Sequence, residues 1–147
     1  MTNQPVHHVL YMFIKAGCPT EAQYWIRETL LRLYGSDFFP GDEDNGEMAA
    51  WFTLSAMGLY SLIPGTTAYL LGAPLFGGMR IQLPAGAFLN IISAGERSAA
   101  AVYVQSVEWN GQKLAALELD YNSIMQGGNL TFVMGSAPSS TYNFSPK

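Results

Sequence analysis

The sequence is poor in charge and has almost no cysteine. Only 12% of its 147 residues are Asp, Glu, Lys or Arg, which is about half the usual share. The seven basic residues are scattered singly and the net charge is −4, which argues against the basic surface that nucleic-acid binding requires. The single cysteine, Cys18, excludes an internal disulfide and a zinc knuckle. With so few charges, much of the surface is expected to be covered by a partner, a second copy or further chain.

The sequence shows neither the pattern of a membrane span nor that of a signal peptide. No charged residue occurs from Met48 to Met79, but Pro64 and Gly65 interrupt this run, and crossing a bilayer takes roughly 20 continuous apolar residues. The opening residues, MTNQPVHHVLYMF, have neither a basic start nor an apolar segment of leader length. We therefore expect no membrane partner and no export signal in these residues.

The spacing of apolar residues changes near Pro64, from helical to strand-like. Three helices are predicted before it, from Val6 to Gly17, from Thr20 to Gly35, and from about Asn45 or Gly46 to Tyr60. Six strand candidates follow: AYLLG, MRIQL, FLNIIS, YVQSVEW, AALELDY and LTFVMG. This order predicts an α+β fold, with helices in residues 1–64, an antiparallel β segment in 65–138 and a loose tail in 139–147.

A loop of acids stands directly before the third predicted helix. Four of the chain's eleven Asp and Glu residues lie in the stretch FFPGDEDNGEMAAWF. In the simplest interpretation, Asn45 caps the helix, Glu47 favours the positive end of its dipole, and the other acids are solvated. A calcium loop of the EF-hand type is excluded, because Gly46 is fifth rather than sixth from Asp42 and Thr53 stands twelfth.

General-base catalysis is the third interpretation of this loop. In an extended chain, residues two apart point to the same side, so Asp42 and Asp44 could converge on one water or one sugar. A carboxylate at a helix start against an apolar wall is also in a place where its pKa is readily shifted. The local chemistry leaves the structural and the catalytic interpretations open.

The sequence around the loop carries a family resemblance. PGDEDNGEMAAWFTLSAMGLYSLIPG resembles the signature of glycoside hydrolase family 92, the calcium-dependent exo-α-mannosidases. Further matches follow in order: NQPVHHVLYMFIKAGCPTEAQYWIRETLLRLY resembles the family's Asn-Glu-Pro-x-His-His segment and the helices after it, AYLLGAPLF is similar to Tyr-x-x-Gly-x-Pro-x-Phe, and YVQSVEWNG and GGNLTFVMGSAPS are similar to the closing strands. Because these matches run from Asn3 to about Pro138, the chain resembles the C-terminal portion of such an enzyme.

This resemblance implies that the chain belongs to a larger catalytic architecture. Family members have an N-terminal β-sandwich and an (α/α)6 barrel with the site between them, so the three helices would derive from the end of that barrel. Three apolar helices cannot close a barrel. Either the N-terminal part of the parent enzyme or self-association is therefore expected to cover them. The resemblance also implies a secreted or periplasmic parent enzyme.

The resemblance implies inverting hydrolysis of terminal α-linked mannose from glycans. Inversion needs an acid and a base about 6.5–9.5 Å apart, with a water between the base and the sugar. The family's base-side aspartates match Asp42 and Asp44, with Asp44 favoured as the base, whereas its general acid is a glutamate upstream of this sequence. Glu43 and Glu47 are poor substitutes because both stand beside the base. We expect the chain to be inactive alone; the alternative is a non-catalytic carbohydrate-binding or oligomeric interaction module.

Calcium is implied as the cofactor that holds hydroxyls of the terminal mannose. Asn3 and Gln4 match the family's metal-binding segment and could supply oxygen ligands, which calcium prefers. Gln4 replaces the usual Glu, and the lost charge is expected to weaken the site. Nearby, His7 is interpreted as a helix-start or core group, and Trp51 and Trp25 as core residues.

Overall fold

A computed structural model of the protein describes residues 4–142. Its helices are a 3-10 turn at Gln4–Val6 and α1 to α4 at Val9–Lys15, Pro19–Arg32, Glu47–Met57 and Tyr121–Met125. Its strands β1 to β8 lie at Leu59–Tyr60, Ala68–Leu71, Gly78–Gln82, Phe88–Gly95, Tyr103–Trp109, Gln112–Lys113, Glu118–Asp120 and Gly128–Gly135. The predicted mixed α+β fold is confirmed, and the end of the predicted loose tail, 143–147, lies outside the described residues.

The first two long helices form a packed pair. Helix α2 begins with a proline in its first turn, where the missing N–H has no intrahelical partner to lose. Its Ala22, Ile26 and Leu30 recur every fourth residue and are buried, which gives the helix one apolar face. Gly17, with φ of 81°, makes the turn that brings α1 against this helix.

Helix α3 ends earlier than the sequence predicts. It stops at Met57 rather than Tyr60, because Gly58 adopts a left-handed conformation with φ of 78° and its N–H returns to the carbonyls of the last turn. A side chain at Gly58 would stand 3.2 Å from the backbone nitrogen of Pro74. The residues after Gly58 turn into β1 and pair with β2.

The strands form two sheets, and one pairing differs from the expected antiparallel arrangement. The small sheet has the order β1-β2-β7, and the larger one has the order β3-β4-β8-β5-β6. Strands β4 and β8 run parallel, from Leu89 opposite Gly128 to Gly95 opposite Met134. The prediction of a wholly antiparallel segment is therefore wrong. The long connection between these two strands, which carries β5 to β7 and α4, lets the chain return in the same direction.

The helices and the sheets share one hydrophobic core. Strand β8 buries every second side chain, Leu130, Phe132 and Met134, as expected for a strand with one covered face. The buried Gln23 of α2 accepts a hydrogen bond from the Val104 N–H of β5 at 3.0 Å. This polar bridge joins the helices to the larger sheet, whereas the division into segments 1–64 and 65–138 stays a prediction.

No helix among residues 4–142 combines the length and the apolarity needed to cross a bilayer.

Candidate functional site

The acidic loop turns sharply before α3. Asp44, Asn45 and Gly46 have φ angles of 51°, 60° and 99°. Asp and Asn adopt left-handed backbone at less cost than most residues, and glycine adopts it freely. The composition of this loop therefore matches its backbone, which is not the plain extended segment that the sequence argument assumed.

Glu43 is the residue that caps α3. Its Oε2 accepts the N–H of Gly46 and its Oε1 accepts the N–H of Ala49 at 3.2 Å, while its carbonyl accepts the N–H of Met48 at 3.3 Å. These donors belong to the start of the helix, where N–H groups lack intrahelical acceptors. The expectation that Asn45 caps the helix is wrong, since no side-chain hydrogen bond of Asn45 closes this end.

Asp42 and Asp44, the predicted base-side pair, are both exposed in the same loop. Within residues 4–142, neither carboxylate takes part in a hydrogen bond or an ion pair. Glu43, which stands between them, is engaged with the helix. The three neighbouring acids thus separate into one structural carboxylate and two that face solvent, and the catalytic assignment of the latter stays a prediction.

The predicted metal-binding segment contacts the acidic loop directly. The Gln4 Nε2 donates to the Asp42 carbonyl at 2.8 Å, whereas Asn3 lies outside the described residues. No group of three or more His, Cys, Asp or Glu able to hold a metal occurs in the described part of the chain. Calcium takes about six to eight oxygen ligands, which include backbone and amide carbonyls, and the assignment of Asn3 and Gln4 to a calcium site stays a prediction.

His7 and Trp51 connect the N-terminal turn to α3. His7 is 2% exposed and its Nδ1 lies 3.5 Å from Glu47 Oε1. The backbone carbonyl of His7 accepts a hydrogen bond from the Trp51 Nε1–H at 3.2 Å. Burial lowers the pKa of His7, against the opposing effect of the Glu47 carboxylate. Although His7 is buried, neither of its ring nitrogens makes a hydrogen bond among residues 4–142. The interpretation of Trp51 as a core residue is confirmed. The same interpretation is wrong for Trp25, which is 48% exposed on α2.

An aromatic wall beside the loop was missed by sequence reasoning. Tyr34 stacks on Trp51, with ring centroids 5.6 Å apart, and meets Phe39 edge-on at 6.2 Å. The rings of Tyr34, Phe39 and Phe52 border an apolar cleft of about 580 Å³, and Phe52 also packs against Tyr34 with ring centroids 5.3 Å apart. Burial raises the pKa of Tyr34 to about 12, so its hydroxyl stays neutral. The clustering of aromatic residues in LLRLYGSDFFP was the available signal, and such rings offer flat apolar surface to a sugar face.

The chain matches a known family over nearly all of its length. The family model for the glycosyl hydrolase family 92 catalytic domain covers residues 1–136. The chain belongs to this family. No curated protein matches it.

Solved family 92 structures contain the same fold within longer chains. An α-mannosidase from Bacteroides thetaiotaomicron, in complex with mannoimidazole, is 30% identical with a TM-score of 0.91, over 96% of this chain and 19% of that one. An inverting mannosidase from the same bacterium is 36% identical with a TM-score of 0.87, over 98% of this chain and 20% of that one. The chain therefore spans about a fifth of their length. The predicted resemblance to the C-terminal portion of a family 92 α-mannosidase is confirmed.

Proposed function

We propose that this chain forms part of the active site of an inverting exo-α-mannosidase, which hydrolyses terminal α-linked mannose from glycans. The observation that carries the proposal is that the acids of the loop have different surroundings. Glu43 holds the helix start, while Asp42 and Asp44 stay exposed within a family 92 catalytic domain. The family membership and the similarity to an inverting mannosidase support the reaction type.

The base side of the reaction is assigned to Asp44, with Asp42 as its partner. A general base needs an ionised carboxylate with free lone pairs, held in position before substrate arrives. The Gln4 contact with Asp42 and the Glu43 cap fix the loop from both sides. In the reaction, the base takes a proton from water as the water oxygen bonds to the anomeric carbon. The glycosidic C–O bond breaks in the same step, and the general acid gives its proton to the leaving oxygen.

The general acid is assigned to chain outside these residues. An inverting acid faces its base across the sugar, with the carboxyls about 6.5–9.5 Å apart. Glu43 is occupied by backbone N–H groups, and Glu47, which follows the proposed base by three residues, lies 3.5 Å from the buried His7. The chain alone is therefore proposed to be inactive, and the N-terminal part of the parent enzyme is its proposed partner.

Calcium is proposed as the cofactor of the complete site rather than of this chain alone. The Gln4 amide donates through Nε2 to the loop, and its Oε1 is the oxygen it could offer to a metal. Asn3 is the second proposed ligand, and the remaining oxygens would come from outside the described residues and from the sugar. The ion would supply a hard positive charge for the mannose hydroxyls. A secreted or periplasmic parent enzyme remains part of the same proposal.

A non-catalytic role is the second candidate, and exposed apolar residues favour it. Leu31, Phe38 and Phe76 are each at least 50% exposed, and Trp25 nearly as much. Large apolar patches on a surface mark interaction sites. A carbohydrate-binding or self-associating module derived from the enzyme would use such a surface, whereas the catalytic proposal assigns it to contacts with the rest of the domain.

A chimaera separates the two functions. The 147 residues replace the corresponding portion of the Bacteroides inverting mannosidase, and release of mannose from an aryl α-mannoside is measured with and without calcium. We expect turnover with inversion, seen by NMR as β-mannose first. Asp44→Asn should reduce kcat at least about a hundredfold, while the matched control Asp37→Asn should not.

Two results would contradict the proposal. A folded chimaera without turnover would remove the catalytic assignment and leave the binding module. Turnover by the isolated chain that disappears in Asp44→Asn would show instead that its acid lies within these residues.

A further inference from the structure

A polar pocket lies apart from the acidic loop and shares no lining residue with it. It has a volume of about 320 Å³ and lies between α2, the segment 74–77 and the segment 93–101. Its charged and hydroxyl-bearing lining residues are Arg27, Arg97, Glu96, Ser93 and Ser98. Two guanidinium groups and two hydroxyls around one small cavity are an arrangement that the hydrolytic site does not use.

Arg27 carries a partly buried positive charge with no counter-charge among residues 4–142. Its Nη2 donates to the Pro74 carbonyl at 2.7 Å, but its Nε is buried and has no hydrogen-bond partner among residues 4–142. Over the same residues, neither Arg27 nor Arg97 lies within ion-pair distance of an acid. Because burying an unpaired charge is costly, such a group is normally matched by an anion.

Glu96 does not neutralise this pocket fully. Its Oε1 accepts the Ser98 hydroxyl at 2.6 Å and its Oε2 accepts the Ser136 N–H at 2.9 Å. These hydrogen bonds lower the pKa of the Glu96 carboxyl, so it stays ionised, and they hold it in the wall. Two guanidiniums against one carboxylate leave the pocket with a net positive charge.

We propose that this pocket binds a phosphate group, either free or carried by a small sugar. A guanidinium fork matches phosphate oxygens, and a phosphate that is close to dianionic at neutral pH suits two arginines better than a singly charged carboxylate does. The volume exceeds that of the free ion and lies at the lower end of small-ligand sites, roughly 300–1,000 Å³. The proposal does not depend on the chemistry of the acidic loop.

The test is a titration of the ¹⁵N-labelled 147-residue chain, followed by NMR at constant ionic strength. Inorganic phosphate and glucose 6-phosphate are compared with glucose and acetate. We expect saturable shifts of the Gly77, Ser93 and Ser98 amides, with a Kd of about 1 mM or tighter for at least one phosphate. Tighter binding of the sugar phosphate would identify a sugar-borne group as the ligand, and tighter binding of the inorganic ion would identify free phosphate.

Charge variants locate the binding. Arg27→Gln removes the positive charge and leaves a shorter amide side chain, and Arg97→Ala removes the second guanidinium. Each should weaken phosphate binding at least about tenfold. Glu96→Gln should tighten it. Arg32→Ala is the matched control, since Arg32 is exposed and paired with Glu28 at 2.7 Å, and its Kd should equal that of the parent chain.

Several outcomes would overturn the phosphate site. These are the absence of saturable shifts with both phosphates, equal binding of acetate, or an Arg32→Ala effect as large as that of Arg97→Ala. Should Arg27→Gln fail to fold, as judged from its spectrum, Arg97→Ala decides alone.

Discussion

Replacing Glu43 by Ala is expected to destabilise the protein, although the side chain lies in a surface loop. The carboxylate accepts two N–H groups at the start of α3, from Gly46 and Ala49. Its neighbours Asp42 and Asp44 make no side-chain hydrogen bond within residues 4–142. Removing the carboxylate of Glu43 should therefore lower the stability of the protein, whereas removing that of Asp42 or Asp44 should leave it nearly unchanged.

The magnitude follows from the cap and the helix dipole. Loss of an N-terminal cap costs typically about 1 kcal/mol, and removal of a negative charge from the helix start costs about 0.3–1 kcal/mol more at a partly exposed position. Glu43→Ala should thus lower the free energy of unfolding by about 1.5 kcal/mol. For a domain of this size that corresponds to roughly 3–6 °C in Tm. Glu43→Gln, which keeps one acceptor oxygen, should fall between Ala and the parent.

Thermal unfolding followed by circular dichroism measures the series under one buffer condition. Asp42→Asn and Asp44→Asn serve as controls, because each removes a neighbouring negative charge and Asn tolerates the left-handed backbone at position 44. Their Tm should stay within about 2 °C of the parent. An unchanged Tm in Glu43→Ala, or a larger loss in either aspartate variant, would refute the division of the loop into one capping and two exposed acids.

Three further changes test the buried polar groups. Gln23→Leu leaves the Val104 N–H without its acceptor and should lower the free energy of unfolding, measured in urea, by about 1–3 kcal/mol. An unchanged urea midpoint would contradict the bridge between helix and sheet. Tyr11→Phe removes the donor to Ser55 Oγ, 2.8 Å away in the core, and should cost about 1 kcal/mol by the same assay. Because burial lowers the pKa of His7 below 6.5, the unfolded chain binds the proton first. Stability should therefore fall as pH drops through 6.5, and this slope should be smaller in His7→Gln.

The helices could be predicted from the sequence because their signals are local. The period of Ala22, Ile26 and Leu30 marks the buried face of α2. The end of α3 at Gly58 was not recognised, because the apolar residues continue past this glycine to Tyr60. The parallel pairing of β4 with β8 could not be found in the same way. Strand periodicity indicates which face is buried, but it carries no information about the direction of a partner that is distant in sequence.

The candidate site shows the same limit at the level of side chains. The sequence motif identified the acidic loop and the candidates Asp42 and Asp44. It did not identify Glu43 as the cap, because this role depends on the positive φ angles of the loop, which bring the Glu43 carboxylate to the start of α3. Tyr34 was missed because its stacking on Trp51 brings together residues from two helical regions. Such contacts between residues distant in sequence form when the chain packs, so the pattern of residue types along the chain does not predict them.

The division among the acids has a geometric cause that extends beyond this loop. The N–H groups at the start of α3 form a small target, and the carboxylate of Glu43 occupies it with both oxygens. That target leaves no N–H group for the other two acids of the turn, and both are exposed without a side-chain hydrogen bond within residues 4–142. A dense acidic cluster before an apolar helix can therefore stabilise the fold through one member and leave the others for chemistry. In this protein the two left over are Asp42 and Asp44, the positions to which the family resemblance assigns the base.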